Sequence, residues 1–295
     1  MPSTRDIRRR IRSVKNTAQI TKAMQMVASS KMRRAQAGAL AGRPYASLMN
    51  EVLGALSEHA GDFTHALMEK RSVGKRAVIL VSTDKGLCGA LNSNLMREAA
   101  RFEKENTVFV CAGRKGSQFI ARTKRQLAAE FTYKDSPQFL EARAISKFAQ
   151  ELFLKGEVDA VDVLFTNFIS TLNQKPEVRA FLPIGEVKTV EVSIEGEGGG
   201  KTLTRAEGSL EYQFEPGPEQ VFSNLLPHYL NFQIYQLLLE AKASEHSSRM
   251  VAMKNATDNA KQLIKDLTLE YNKLRQANIT KELLEITTAQ MALGN

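Results

Sequence analysis

Few residues of this 295-residue chain stand at spacings that support bond-making chemistry. Gly113 to Gly116 reads GRKG after an apolar run, which raises the question of a phosphate loop. A dinucleotide fingerprint needs three glycines at fixed offsets with an acid downstream, and a P-loop needs Gly-Lys-Ser/Thr; GRKG supplies neither, so a plain turn is the expected reading. The four histidines, His59, His65, His228 and His246, show no metal-ligand spacing, and there is no Gly-x-Ser-x-Gly element. Cys88 and Cys111 are 23 positions apart and read as reduced thiols rather than a redox pair. The sequence therefore offers no catalytic, cofactor-binding or metal site, and no cofactor is expected.

A charge cluster is the remaining candidate. Arg5, Arg8, Arg9, Arg10, Arg12, Lys15, Lys31, Arg33 and Arg34 would make an electrostatic footprint for phosphates. No aromatic residue is interleaved for base stacking, and the apolar seam between the charges suits an intrachain coil rather than a dimer forked across a groove. Three readings stand: a basic coiled-coil nucleic-acid binder, a solvated face, or a face that meets acidic protein loops.

The elements that would carry these residues follow from where breakers and bulk fall. Residues 1 to 45 hold eleven bases and one acid, a net of +10, against +1 for residues 228 to 295 and −2 for the rest. All fourteen Phe lie between Phe63 and Phe232, so the middle owns the bulky core. No Gly or Pro lies between Ser3 and Ala37, and no Gly between Pro218 and Leu293, so both ends read as long helices. The first runs from about Ser3 to Ser57 with a bend at Gly42 and Pro44, ~80 Å in all; the last, Pro218 to Leu293, would reach ~110 Å, with a bend at Pro227. A coiled-coil seam of mostly small residues repeats at steps of four and three: Ile7, Ile11, Val14, Ala18, Thr21, Gln25, Ala28, Met32, Ala35, Ala39. Its counterpart is Met253, Ala256, Ala260, Leu263 or Ile264, Leu267, Tyr271 and Leu274. Helices this long need a packing partner in water, and each is the other's.

Between them, Arg76 to Ser82, Thr107 to Cys111 and Asp159 to Phe165 read as buried strands, alternating with helical stretches at Leu91 to Glu105, Ser117 to Lys124 and Gln138 to Lys155. That order predicts a parallel sheet with right-handed crossovers, a Rossmann-like α/β domain. Further strands are expected at Val178 to Leu182, Val187 to Ile194 and Leu210 to Phe214, the latter two flanking a flexible loop at Gly196 to Gly200. The expected division is 1–57 for the N-terminal coiled-coil helix, 75–215 for the central α/β domain and 218–293 for the C-terminal helix. With hydrophobic residues at 43%, charged residues at 25% and no apolar run of ~18 residues, disordered, collagen-like and membrane-spanning chains are excluded. The start MPSTRDIRRR has no apolar stretch behind its charges, so an intracellular protein is expected.

Antiparallel pairing anchored near Ser57 and Pro218 would set residue i opposite roughly residue 275 minus i. Ile7 then faces about Thr268, and Met24 about Val251. From Gln276 onward the last helix has no internal partner, yet it carries Leu283, Leu284, Ile286, Met291 and Leu293, which calls for a surrounding protein. Ile20, Met24 and Val27 form a second apolar stripe that also calls for an outside partner.

Three stretches closely resemble the gamma subunit of F-type ATP synthases, in order and over nearly the whole chain. They are IRSVKNTAQITKAMQMVASSKMRRAQ (Ile11 to Gln36), STDKGLCGALN (Ser82 to Asn92), and RMVAMKNATDNA with YNKLRQANITKELLEI (Arg249 to Ala260, Tyr271 to Ile286). The resemblance implies a central rotary shaft with no catalytic residue of its own. Its antiparallel coiled coil would stand inside a hexamer of alternating alpha and beta subunits. Its α/β domain would sit at the foot, against the epsilon subunit and the membrane-embedded c-ring. By the same resemblance, contacts with the hexamer fall on Met24, Arg249, Arg275, Gln276 and Thr280, with Lys85 and Cys88 near the domain end that faces it. Met24 and Arg249 would come near one another, and the basic face would meet acidic loops of the beta subunits. Peripheral attachment to the cytoplasmic face of a bacterial inner membrane is implied, without nucleic acid. Ala289 and Gln290 depart from the family's usual Gly-Ala pair, and no cysteine pair occurs from Ile184 to Phe214, so a chloroplast-type thiol switch is not expected.

Overall fold

The structure, a computed structural model, describes residues 3–59, 65–184 and 215–293. The strands expected at Val187 to Ile194 and Leu210 to Phe214, and the loop between them, lie outside the described residues. The chain divides into two units, one of Met1–Val27 with Met250–Asn295 and one of Ala28–Arg249. Both long helices cross the division.

In the larger unit a five-stranded sheet has the order β3-β2-β1-β4-β5. Its strands are β1 (Arg76–Val81), β2 (Thr107–Ala112), β3 (Gln126–Phe131), β4 (Ala160–Phe168) and β5 (Gln174–Leu182). The first four run parallel; β5 returns antiparallel to β4. The three expected buried strands form, because β1, β2 and β4 are apolar runs covered on both faces, as parallel strands require. Strand β3 was not expected: QLAAEF lies at the sheet edge with mostly exposed side chains, so no apolar alternation marks it.

Alternating strand residues feed two cores. Ile79, Val110, Val163 and Phe165 pack with Ile145 and Phe153 of α5 (Phe139–Leu154), Leu53 and Leu56 of α2 (Arg43–His59), and Leu230, Ile234 and Leu238 of α6 (Pro218–Leu293). On the other face Val78, Leu80, Phe109 and Leu164 meet Leu95 and Ala99 of α3 (Leu91–Ala100) and Ile120 of α4 (Arg114–Arg122). Helix α4 begins at Arg114, three residues before the expected start, and α3 ends at Ala100 rather than Glu105.

The expected bend is a break: α1 (Thr4–Ala41) stops and α2 restarts at Arg43. Gly42 lies against the Gln236 side chain, whose amide nitrogen would sit 2.0 Å from a Cβ at this position. Tyr45 packs against Phe232 in the same register, with ring centroids 4.7 Å apart. Pro227 stays inside α6 without ending it. In the smaller unit, the Thr21 and Thr257 hydroxyls share a hydrogen bond of 2.7 Å, so facing positions sum to 278 there rather than the expected 275. Ile7 and Leu267 wall one open groove of the same pair. Every predicted seam residue of α1 is buried or half-buried, and on α6 the seam takes Ile264 while Leu263 is exposed.

Candidate functional site

Within the larger unit, strand order reverses between β1 and β4, and open α/β sheets take ligands outside the carboxyl ends of strands at such a point. Here the place is filled from within. Segment Lys242–Arg249 of α6 is stapled over it by side chains donating to main-chain carbonyls. Ser244 Oγ reaches Thr166 at 3.0 Å, Ser247 Oγ reaches Thr171 at 2.8 Å, and Ser248 Oγ reaches Cys88 at 2.7 Å. Arg249 Nη2 donates to the carbonyls of Lys85 and Gly86, each at 3.3 Å.

The GRKG stretch is equally occupied. The Arg114, Lys115 and Gly116 amides donate to Asp84 Oδ1 (3.0 Å), the Thr83 carbonyl (3.0 Å) and Ser82 Oγ (2.8 Å). A phosphate at this helix start would find its amides taken. Gly113, at φ 108°, cannot carry a side chain, since a Cβ would sit 2.2 Å from the Ser82 carbonyl oxygen. GRKG is thus the start of α4 rather than a plain turn, with its first amides satisfied within the chain.

Lys85, Cys88 and Arg249, predicted from separate motifs, come together at this β1–α3 turn. Lys85 is exposed; Cys88 is buried, and its Sγ accepts from Asn92 Nδ2 at 3.3 Å. Burial pushes the Cys88 thiol above its ordinary pKa, with Arg249 opposing, so this is no activated thiolate. Cys111, buried in the second core beside Glu130, is pushed up to about 12. Arg249 Nη2 also pairs with Glu245 Oε1 at 2.9 Å, and its Nη1 stands 3.3 Å from His246 Nδ1. With a guanidinium donating to Nδ1, the ring is neutral and carries its proton on Nε2. Burial first, with Arg249 and Lys242 beside it, holds the His246 pKa down at about 4.

The other predicted residues belong to the smaller unit. Met24 is half-buried, whereas Arg275, Gln276 and Thr280 are exposed, Thr280 Oγ1 only returning to the Gln276 carbonyl at 3.0 Å. Ile279, Leu283, Leu284, Ile286 and Met291 are between 49% and 77% exposed, and Ile20 and Val27 of the second stripe also face out. Among the described residues, no group of acids, cysteines and histidines could hold a metal ion, and no helix is long and apolar enough to cross a membrane. Sequence reasoning missed the Lys242–Ser248 segment. Its one legible signal is a polar run, KASEHSS, placed directly after the apolar stretch LLLEA.

The family model described as ATP synthase matches residues 3–293. The chain is 48% identical over 299 residues to the ATP synthase gamma chain of Methylacidiphilum infernorum, and 49% identical over 296 residues to that of Opitutus terrae, covering 100% of both chains in each case. Its fold is similar to a chain of the mitochondrial ATP synthase of Euglena gracilis, with 20% identity, a TM-score of 0.67 and coverage of 98% of this chain and 94% of that one. A second likeness, at 23% identity and a TM-score of 0.59, is to the central stalk and c-ring structure from Tetrahymena thermophila, covering 80% of this chain and 99% of that one. No finding favours the nucleic-acid reading of the basic helix. The full-length identity to gamma chains places this protein: it belongs to the family of ATP synthase gamma chains.

Proposed function

We propose that the chain is the central rotor shaft of an F-type ATP synthase. It would couple proton-driven rotation of the membrane c-ring to ATP synthesis and hydrolysis in the alpha/beta hexamer while catalysing nothing itself. The observation that carries this reading is identity of nearly half of all residues to gamma chains over 100% of both lengths. Two structural features support it. The place where an α/β sheet would take a ligand is closed by α6, and the far end of α6 exposes five large apolar side chains that nothing in its own unit covers.

In this reading Arg275, Gln276, Thr280 and Lys85 touch the hexamer directly, since their side chains face outward. Met24 meets it beside the seam. Arg249 and Cys88, engaged within the chain, shape the turn that is presented. Residues 1–57 and 218–293 serve as the shaft and 75–215 as the foot, against the epsilon subunit and the c-ring, at the cytoplasmic face of a bacterial inner membrane. A magnitude explains why such a chain is needed. One charge crossing 100 mV yields ~2.3 kcal/mol, whereas releasing a ligand held at micromolar to nanomolar affinity takes about 8 to 12 kcal/mol. Several proton steps must be gathered mechanically for each release.

Coexpression with alpha and beta subunits tests assembly. The expected result is one complex containing all three chains. Alpha/beta hexamers that form while this chain stays free would contradict the proposal.

A further inference from the structure

Lys242 is a lysine on a helix that leaves its side chain only 2% exposed. A buried ammonium persists only where its charge is compensated, and this one is compensated on several sides. Its Nζ lies 2.9 Å from Glu245 Oε2, 3.8 Å from Asp135 Oδ1 and 4.5 Å from the centroid of the Tyr133 ring. Each carboxylate holds a second cation: Lys31 of α1 pairs with the other oxygen of Asp135, and Arg249 pairs with the other oxygen of Glu245 at 2.9 Å. Arg249 then donates to the Lys85 and Gly86 carbonyls. Tyr133 closes the array, its hydroxyl donating to the Ser82 carbonyl at 3.0 Å, where β1 ends.

The charges alternate without a gap: Lys31, Asp135, Lys242, Glu245, Arg249. They come from α1, the β3–α5 loop and α6, and they end on the β1–α3 turn. We propose that this chain of ions is a lock that fixes both long helices to the sheet, and that Lys242 is its positioning residue. Lys242 acts through Glu245 on the Arg249 guanidinium and hence on the turn. An apolar contact would hold the helices at any rotation that buries the same area, because such contacts are non-directional. The charge-assisted hydrogen bonds from Lys31 to Asp135, from Lys242 to Glu245 and from Arg249 to the Lys85 and Gly86 carbonyls are directional, and the Lys242–Asp135 ion pair at 3.8 Å joins them, so the array favours one rotational setting. The lock itself is a property of this chain; its use, which rests on the shaft reading, is to stop α6 slipping against the foot when torque passes between them.

The alternation supplies the test. Lys242→Met leaves each carboxylate one cation, so the fold is retained while the lock is cut at its centre. In the full chain assembled with alpha and beta subunits, hydrogen exchange at the amides of Lys85–Leu91 is expected to speed up about tenfold. The swap of Lys242→Glu with Glu245→Lys is expected to loosen the turn at least as much, because the new Glu would face Asp135 and the new Lys would face Arg249. A swap that restores wild-type exchange would show an isolated pair and overturn the lock, as would unchanged exchange in Lys242→Met. Should the swap fail to assemble, Asp135→Asn serves in its place, with Lys242→Met expected to add less to its exchange than to the wild type's; full additivity would overturn the lock. In the membrane complex, protons pumped per ATP hydrolysed should fall in Lys242→Met. A loosened turn with an unchanged ratio would overturn the torque role and leave the shaft reading standing.

Discussion

Single side chains at the β1–α3 turn carry consequences that can be measured in the chain itself. His246 is buried neutral, its pKa moved from 6.5 to about 4, while the unfolded chain binds a proton below about 6.5. The unfolded state therefore holds more protons between pH 6.5 and 4. The stability from keeping this imidazole neutral is complete above that window and is lost as pH falls through it, by up to about 3 kcal/mol. Asp135, whose pKa is lowered first by its hydrogen bond from Lys31, gives up its contribution only at lower pH, as the solution passes through its depressed value. Chemical denaturation of wild type and His246→Gln across pH 7 to 4 should show the two stabilities converging by about 3 kcal/mol; curves that stay parallel would contradict the assignment. This part of the site was only partly legible from sequence. Arg249, Lys85 and Cys88 were reachable through motifs, but Lys242, Glu245 and Ser248 belong to no motif, and nothing in their types says that a sheet end will close over them.

At the scale of elements, periodicity was the durable signal. The α1 seam was readable because the step of four and three survives packing, and Ala28, Ala35 and Ala39 are buried as that repeat requires. What periodicity could not show was where pairing begins. In the larger unit Gly42 lies against Gln236 and Tyr45 against Phe232, so the setting comes from contacts at the helix break rather than from the distant ends. Strand β3 escaped for a related reason: edge strands need bury only part of one face. The last turns of α6 are the reverse case, apolar residues with no packing partner. Replacing Leu283, Leu284 and Ile286 by Ser should change the chain's own stability by less than about 0.5 kcal/mol per site, since all three are more than half exposed. Each substitution should weaken binding to the alpha/beta hexamer by about 1.5 to 3 kcal/mol if the socket buries that side chain fully. Denaturation of the chain beside titration into hexamer separates the two; a large loss of intrinsic stability would show that the tip is packed internally.

For the whole molecule, the physical theme is asymmetry of support. The larger unit has three clusters of buried apolar residues, two of them on the faces of its sheet, and a buried array of alternating charges. The smaller unit is two paired helices whose seam of small residues, with a threonine pair at Thr21 and Thr257, buries little. Exposed Ile20, Met26 and Val27 on one helix and Leu269 and Ile279 on the other leave it dependent on surroundings. The most direct measurement fixes the alpha/beta hexamer to a surface, attaches an optical probe to an exposed site on this chain's α/β domain, and follows probe orientation as ATP is added. The account predicts stepwise rotation in one direction, three steps to a turn for three beta subunits, ceasing when ATP is withdrawn. A probe that stays fixed relative to the hexamer while ATP is hydrolysed at full rate would contradict it.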